Sequence, residues 1–218
     1  MEKIKILLCD DHAMVREGLR LLLKTAADIE VIGEAGNGHQ AVREAKRLLP
    51  DVILMDLSMP LLNGIEATRQ FLKEFPLAKV LVLSAHHDDQ YVLYAMKAGA
   101  VGYLMKESAE NDLLRAIREI AAGNAFFSPA IARRMLGQRR ENFLNNLVQK
   151  AVALTGRQME VLQLIAEGYS TKQMGYLLSL SGKTVEKHRQ GLMTKLNIHN
   201  VATLTRYAVS NGVVELKL

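Results

Sequence analysis

Three aspartates, a serine and a lysine fall where they could handle a phosphoryl group. Asp10 and Asp11 follow an apolar run at 4–9, Asp56 follows one at 52–55, Ser84 closes one at 80–84, and Lys106 follows one at 102–105. Three carboxylates that converge repel one another, so the set requires compensating cations. Mg2+, which prefers carboxylate, carbonyl and water oxygens, suits the donors. With one aspartate as nucleophile, a metal ion and an ammonium neutralise the phosphoryl oxygens, and a hydroxyl can bond to the product. Taken singly, Asp10 and Asp11 could serve a helix N-terminus, Asp56 a turn before Pro60, and Lys106 the surface. Five such residues at successive strand ends argue for chemistry.

The elements that must position them can be read from periodicity. Apolar runs at 4–9, 31–35, 52–55, 80–84 and 102–105 alternate with helically spaced stretches at 14–24, 40–49, 65–75, 90–97 and 111–121. Five such units predict an α/β fold, a flavodoxin-like doubly wound parallel sheet of order 2-1-3-4-5. In that order strands one and three are neighbours, and ligands sit beyond the carboxyl ends of the strands. Asp10, Asp11 and Asp56 therefore share one crevice.

No strand pattern follows. Gly123-Asn124 and Ser128-Pro129 punctuate the chain, and 133–146 is polar and charge-rich. The expected organisation is a first domain over 1–122, a linker over 123–150 with helical patterns at 130–136 and 143–148, and a smaller all-α domain over 151–218. The 218 residues suit one large domain or two small ones, and 49% hydrophobic with 23% charged residues is a globular composition. Charge divides along the chain: residues 1–127 hold 15 Lys and Arg against 18 Asp and Glu, net −3, leaving 13 and 5, net +8, for the rest. An acidic domain followed by a compact basic one points to a polyanion as partner of the second. The lone Cys9 can form neither an intrachain disulfide nor a thiolate metal site, and is expected to be buried in a strand. The chain start turns acidic before a signal-peptide core could complete, and no apolar run approaches the roughly 18 residues of a membrane span, so a cytoplasmic protein without membrane contact is expected.

Within the basic domain, Thr155-Gly156-Arg157-Gln158 and Ser170-Thr171-Lys172-Gln173 are capping boxes. Two helices at 172–178 and 183–196 flank a tight turn at Leu180-Ser181-Gly182. Val185, Leu192 and Leu196 mark an inward stripe on the second, while Lys183, Lys187, Gln190 and Thr194 form an opposite polar face. Such a helix suits the major groove of duplex DNA, and equally an ordinary helical bundle.

Residues 3–122 resemble the receiver domain of two-component response regulators. The resemblance rests on Asp10-Asp11, Asp56-Leu57-Ser58-Met59-Pro60-Leu61-Leu62-Asn63-Gly64, Ser84-Ala85 and Gly102-Tyr103-Leu104-Met105-Lys106. It implies that Asp56 is the phospho-acceptor, that Asp10, Asp11, Asp56 and the main-chain carbonyl of Ser58 bind Mg2+, and that Lys106 contacts the phosphoryl group. Ser84 is then the switch hydroxyl and Tyr103 the aromatic whose inward rotation reports phosphorylation. Residues 154–200 resemble the LuxR-type helix-turn-helix of the NarL/FixJ class, through Leu154-Thr155, Glu160-Val161-Leu162, Ser170-Thr171-Lys172, Thr184-Val185, His188-Arg189 and Lys195-Leu196 among others. By that resemblance Glu186, Lys187 and Gln190 read bases, Lys172, Thr184 and Lys195 meet phosphates, and 201–209 pairs with a second copy. Gln158 and Gln173 replace the usual glutamates, Met174-Gly175 replaces the commoner Ile-Ala, and Gly191 interrupts the recognition helix.

The implied partners are a sensor histidine kinase, promoter DNA with inverted half-sites, a second copy when phosphorylated, and the transcription machinery. Two other classes compete. A phosphatase or phosphotransferase would use aspartate and Mg2+, but haloacid-type enzymes place their carboxylates two residues apart after the first strand, here they are adjacent, and no Walker-type loop is present. An RNA- or protein-binding module would need a stacking platform, and aromatic residues are 5% of the chain with only Tyr176 in 171–196. His188 is read as packed or phosphate-facing, and His86-His87 as lacking partners for a metal. The reading is a regulator, not an enzyme.

Overall fold

The computed structural model describes residues 2–85, 89–108, 110–127, 131 and 154–214. Contacts divide the chain into two compact units, Met1–Gly137 and Gln138–Leu218.

In the first unit, β1 (Ile4–Cys9), β2 (Ile29–Ala35), β3 (Val52–Asp56), β4 (Val80–Ser84) and β5 (Gly102–Met105) alternate with α1 (Ala13–Lys24), α2 (Gly38–Leu48), α3 (Gly64–Glu74), α4 (Asp89–Ala98) and α5 (Glu110–Ala121). All pairings are parallel, in the order β2-β1-β3-β4-β5, with β6 (Phe126–Phe127) beyond β5. Alternation sorts the core. Ile6 and Leu8 face one layer with Leu54, Leu83, Leu104 and the α5 residues Leu113, Ile117 and Ile120. Leu7 and Cys9 face the other with Ile53, Met55 and the α2 and α3 residues Ala41, Ala45, Ala67 and Phe71. A third cluster joins Val82 and Tyr103 to Val92 and Ala95 of α4. Covered on both faces, β3, β4 and β5 have no polar side to show and read as unbroken apolar runs, whereas β1 and the outer strand β2 carry Lys5, Glu30 and Glu34. Cys9 is buried as expected, and burial pushes its thiol up from the ordinary range.

The sheet has six strands rather than the expected five. β6 (Phe126–Phe127) lies in the stretch assigned to the linker and pairs with β5, Gly102 beside Phe126 and Tyr103 beside Phe127. Ile131 also joins this unit, 6% exposed in the cluster around Tyr103. Of the helical patterns expected in the linker, 143–148 lies outside the described residues and so does 130–136 apart from Ile131, as do His86-His87.

The second unit is helical over its described residues: α6 (Gly156–Ala166), α7 (Thr171–Leu178), α8 (Gly182–Leu196) and α9 (Val201–Ser210). Both capping boxes form, Thr155 with Gln158 and Ser170 with Gln173. Ser181 caps α8 by accepting from the Thr184 amide. Glutamine serves as well as glutamate here because the box needs only an acceptor at the third helical position. A small buried core holds the unit: Val161, Leu162, Leu164, Met174, Leu178, Val185, Leu192, Leu204 and Ala208.

Candidate functional site

Strand register assembles the acidic pocket. Cys9 pairs with Met55, so Asp10 emerges beside Asp56 at the carboxyl ends of β1 and β3. Ser84 pairs with Met105, so Lys106 leaves β5 one step beyond it, its amide donating to the Ser84 carbonyl at 2.9 Å. Lys106 Nζ then bridges the two aspartates, 2.7 Å from Asp10 Oδ2 and 3.0 Å from Asp56 Oδ2. Asp10 and Asp56 are buried, and Lys106 is mostly so.

Burial is the main force on these charges. It pushes the Asp56 carboxyl above the ordinary carboxylate range; Lys106 pulls against this, and the neighbouring Asp10 adds to it. For Lys106, burial pulls the ammonium down, but Asp56 and Asp10 outweigh it and hold it above its ordinary value. The pocket thus carries more negative charge than its one lysine balances.

The loop from Asp56 to α3 is locked by backbone. The Ser58 amide bonds to the Asp56 carboxylate. Leu61 sits in the left-handed region at φ 68°, rare for a leucine. Asn63 caps α3 through the Glu66 amide at 2.9 Å. A Cβ on Gly64 would lie 1.9 Å from the Asp56 carbonyl oxygen, so only glycine lets the chain return this close. Ser84 is fully buried at the end of β4, and Tyr103 is fully buried on β5, its ring inward among Leu57, Ile65, Val82, Val92 and Ile131.

Ligand atoms from Asp10, Asp11, His12 and Asp56 all lie within 4.8 Å of one another. Carboxylates this close, one of them with its ionised form disfavoured by burial, fit a hard divalent cation. Two contributors escaped the sequence reading. His12 Nδ1 lies 2.9 Å from Asp11 Oδ1 and 3.2 Å from Asp10 Oδ1. Arg16, one turn into α1, donates to the Asp10 carbonyl at 2.6 Å and to Glu34 at 3.2 Å, pinning the turn that carries the acid pair. Their signal was adjacency: His12 directly follows Asp11, and Arg16 is four residues on, on the same side of the helix.

On the second unit, Lys183, Lys187, Gln190 and Thr194 are all exposed on α8, opposite buried Val185 and Leu192. Lys172 and Lys195 are exposed, whereas Thr184 is half-buried with its hydroxyl 2.8 Å from that of Ser181. Glu186 is half-buried, its carboxylate 3.8 Å from Arg189. The turn before α8 depends on Gly175, whose added Cβ would lie 2.8 Å from the Leu180 carbonyl oxygen.

Comparison with known proteins agrees with this geometry in both units. The family model described as the response regulator receiver domain matches residues 6–118, and that of bacterial regulatory proteins of the luxR family matches 152–208. The transcriptional regulatory protein LiaR of Bacillus subtilis is 41% identical over 211 residues, covering 97% of this chain and 99% of its own. The transcriptional regulatory protein DegU of Brevibacillus brevis is 36% identical over 228 residues, covering 99% and 97%. Among solved structures, the RcsB response regulator of Salmonella typhimurium covers 96% of this chain and 100% of its own, at 25% identity and a TM-score of 0.57. RcsB solved as two dimers bound to two parallel DNAs covers 96% and 99%, at 25% identity and a TM-score of 0.58. With a receiver sheet in one unit, a luxR-family helix-turn-helix in the other, and relatives aligned along almost the whole chain, this protein belongs to the NarL/FixJ class of two-component response regulators, which regulate transcription.

Proposed function

We propose that Asp56 accepts a phosphoryl group from a sensor histidine kinase, and that this controls dimerisation and sequence-specific binding to duplex DNA. The observation that carries the reading is the bridge from Lys106 to both Asp10 and Asp56 at adjoining strand ends. An Asp56 carboxylate oxygen forms a P–O bond as the P–N bond to the kinase imidazole breaks, and the departing imidazole keeps the electron pair and takes a proton. Lys106 neutralises the phosphoryl oxygens, and the Ser84 hydroxyl bonds to one of them. Asp10, Asp11, Asp56 and the Ser58 carbonyl would hold Mg2+, which supplies charge neutralisation at the phosphoryl oxygens. New charge and new acceptors at Asp56 draw in the loops bearing Ser84 and Lys106, and Tyr103, packed against α4, carries the change to that face.

In the second unit, Lys187, Gln190 and Glu186 would face bases, while Lys172, Thr184 and Lys195 hold phosphates. The exposed polar stripe of α8 and the DNA-bound RcsB dimers support this, and two-fold symmetry implies inverted half-sites. We take 1–122 as receiver, 123–150 as linker and 151–218 as DNA-binding domain, with β6 carrying the receiver sheet into the linker. No helix of the described residues is long and apolar enough to cross a membrane. We place the protein in the cytoplasm, as a regulator rather than an enzyme, acting on the transcription machinery at promoters.

The test is acetyl phosphate with Mg2+ on wild type and Asp56→Asn, read by intact mass, by light scattering and by duplex binding. Wild type should gain one phosphoryl group, dimerise and bind more tightly, and the variant should do none of these. Equal DNA binding in treated and untreated wild type would make the protein a constitutive DNA binder with a vestigial receiver.

A further inference from the structure

His12 occupies the N-cap of α1, where Ser, Thr, Asn or Asp would ordinarily bond to the first turn. It makes no such bond, and its ring is turned toward the acid pair. Its amide donates to Asp10 Oδ1 at 2.8 Å, which fixes the backbone, and its Nδ1 stands 2.9 Å from Asp11 Oδ1 and 3.2 Å from Asp10 Oδ1. Metal–ligand bonds of about 2.1 Å in an octahedral shell put neighbouring donor atoms about 3 Å apart. The nitrogen already stands at that spacing from each of the two oxygens, so a cation could be held between them.

We infer that His12 is a metal-selectivity residue, whose Nδ1 gives the pocket a nitrogen donor for borderline divalent cations such as Ni2+. Mg2+ is satisfied by oxygen and dehydrates reluctantly, so it gains little from the ring. Ni2+ and Zn2+ bind imidazole strongly, and Ni2+ accepts the same octahedral arrangement. The pocket therefore has two overlapping modes, an all-oxygen one for Mg2+ and a mixed one that takes in His12. Because both use Asp10 and Asp11, the two ions exclude each other. This rests on the Mg2+ reading proposed above, and its consequence is that a nitrogen-seeking ion blocks the site Mg2+ needs.

The test is calorimetric titration of the full chain with Mg2+ alone and Ni2+ alone, and of Ni2+ against saturating Mg2+, at one fixed pH. Wild type is compared with His12→Asn, which restores a good helix cap and so keeps α1 folded. Counting only Ni2+ that Mg2+ displaces separates this pocket from the chain's other histidines. Ni2+ affinity at that site should fall on the order of 10–100-fold in His12→Asn, while Mg2+ affinity stays within about 3-fold. Unchanged Ni2+ affinity, or an equal fall for both ions, would overturn the role of His12 while leaving the Mg2+ site standing. Absence of Mg2+ binding in wild type would overturn both.

Discussion

Gln158 and Gly191 form one fitted pair: a Cβ at Gly191 would lie 2.9 Å from Gln158 Nε2. That amide cannot simply swing away, because Gln158 Oε1 accepts from the Thr155 amide at 3.0 Å and closes the capping box of α6. A glycine inside α8 and a glutamine at the cap of α6 are therefore a single feature seen from two helices. Gly191→Ala should gain about 0.5–1 kcal/mol of helix propensity and lose about as much from the disturbed cap, leaving stability nearly unchanged. In a Gln158→Ala background the same substitution should stabilise by about 0.5–1 kcal/mol. Hydrogen exchange at α6 and α8 amides in the four proteins measures the coupling.

At Asp56 the sign of the pH effect follows from its raised carboxyl. A carboxyl held above its unfolded value loses stability for the fold as pH rises through the folded value, so at neutral pH the ionised group opposes folding. Asp56→Asn should raise the first domain's melting temperature at pH 7 without metal by about 4 °C, the shift expected for on the order of 1 kcal/mol in a domain of this size. The gain should vanish toward pH 4, where the unfolded carboxyl is also about half protonated. Mg2+ should stabilise wild type and leave the variant almost unmoved, and Lys106→Met should drive the Asp56 titration, followed by carboxyl carbon NMR, higher still.

Two glycine-to-alanine changes should go in opposite directions. At Gly18, inside α1, nothing lies within 4 Å of the added carbon, and alanine should stabilise by about 0.5–1 kcal/mol. At Gly64 the carbon would meet the Asp56 carbonyl oxygen at 1.9 Å, and the backbone must shift. A loss of about 3 kcal/mol, together with slower phosphorylation, is expected in calorimetry and mass spectrometry.

For DNA, a phosphate contact and a base contact differ in their salt dependence. Lys172→Ala and Lys195→Ala should each weaken binding to every duplex and lower the salt slope by about 1. Gln190→Ala should cost about 1–3 kcal/mol on a site selected from random duplexes and little on unrelated sequence. Fluorescence anisotropy across a salt series separates the two.

Much of this was legible in the chain because local pattern and tertiary role coincide. β4 and β5 begin and end where their apolar runs do, since strands covered on both faces admit no polar interruption, and β1 does so with one exposed lysine, Lys5, near its start. The pocket was legible because carboxyl ends of strands are where such sheets bind ligands. β6 was not, as two phenylalanines between Gly123-Asn124 and Ser128-Pro129 are too short a run for periodicity to speak. Gly175 read only as a departure from the commoner pair and Gly191 as an interruption, because their reasons are the Leu180 carbonyl and the Gln158 amide, contacts made only after folding.

The sixth strand also decides how this protein can be recombined. Phe126 and Phe127 match Gly102 and Tyr103 residue for residue, and Ile131 is buried behind them. A chimera cut at 122 would strip the receiver of its edge and uncover Tyr103, whereas a cut beyond 131 would carry the receiver away whole. A one-residue slip in this pairing would exchange the faces of the two phenylalanines, sending Phe126 away from the α5 side and Phe127 away from the Tyr103 side. On its receiver side the tether is a keyed joint, and its length is not free to drift.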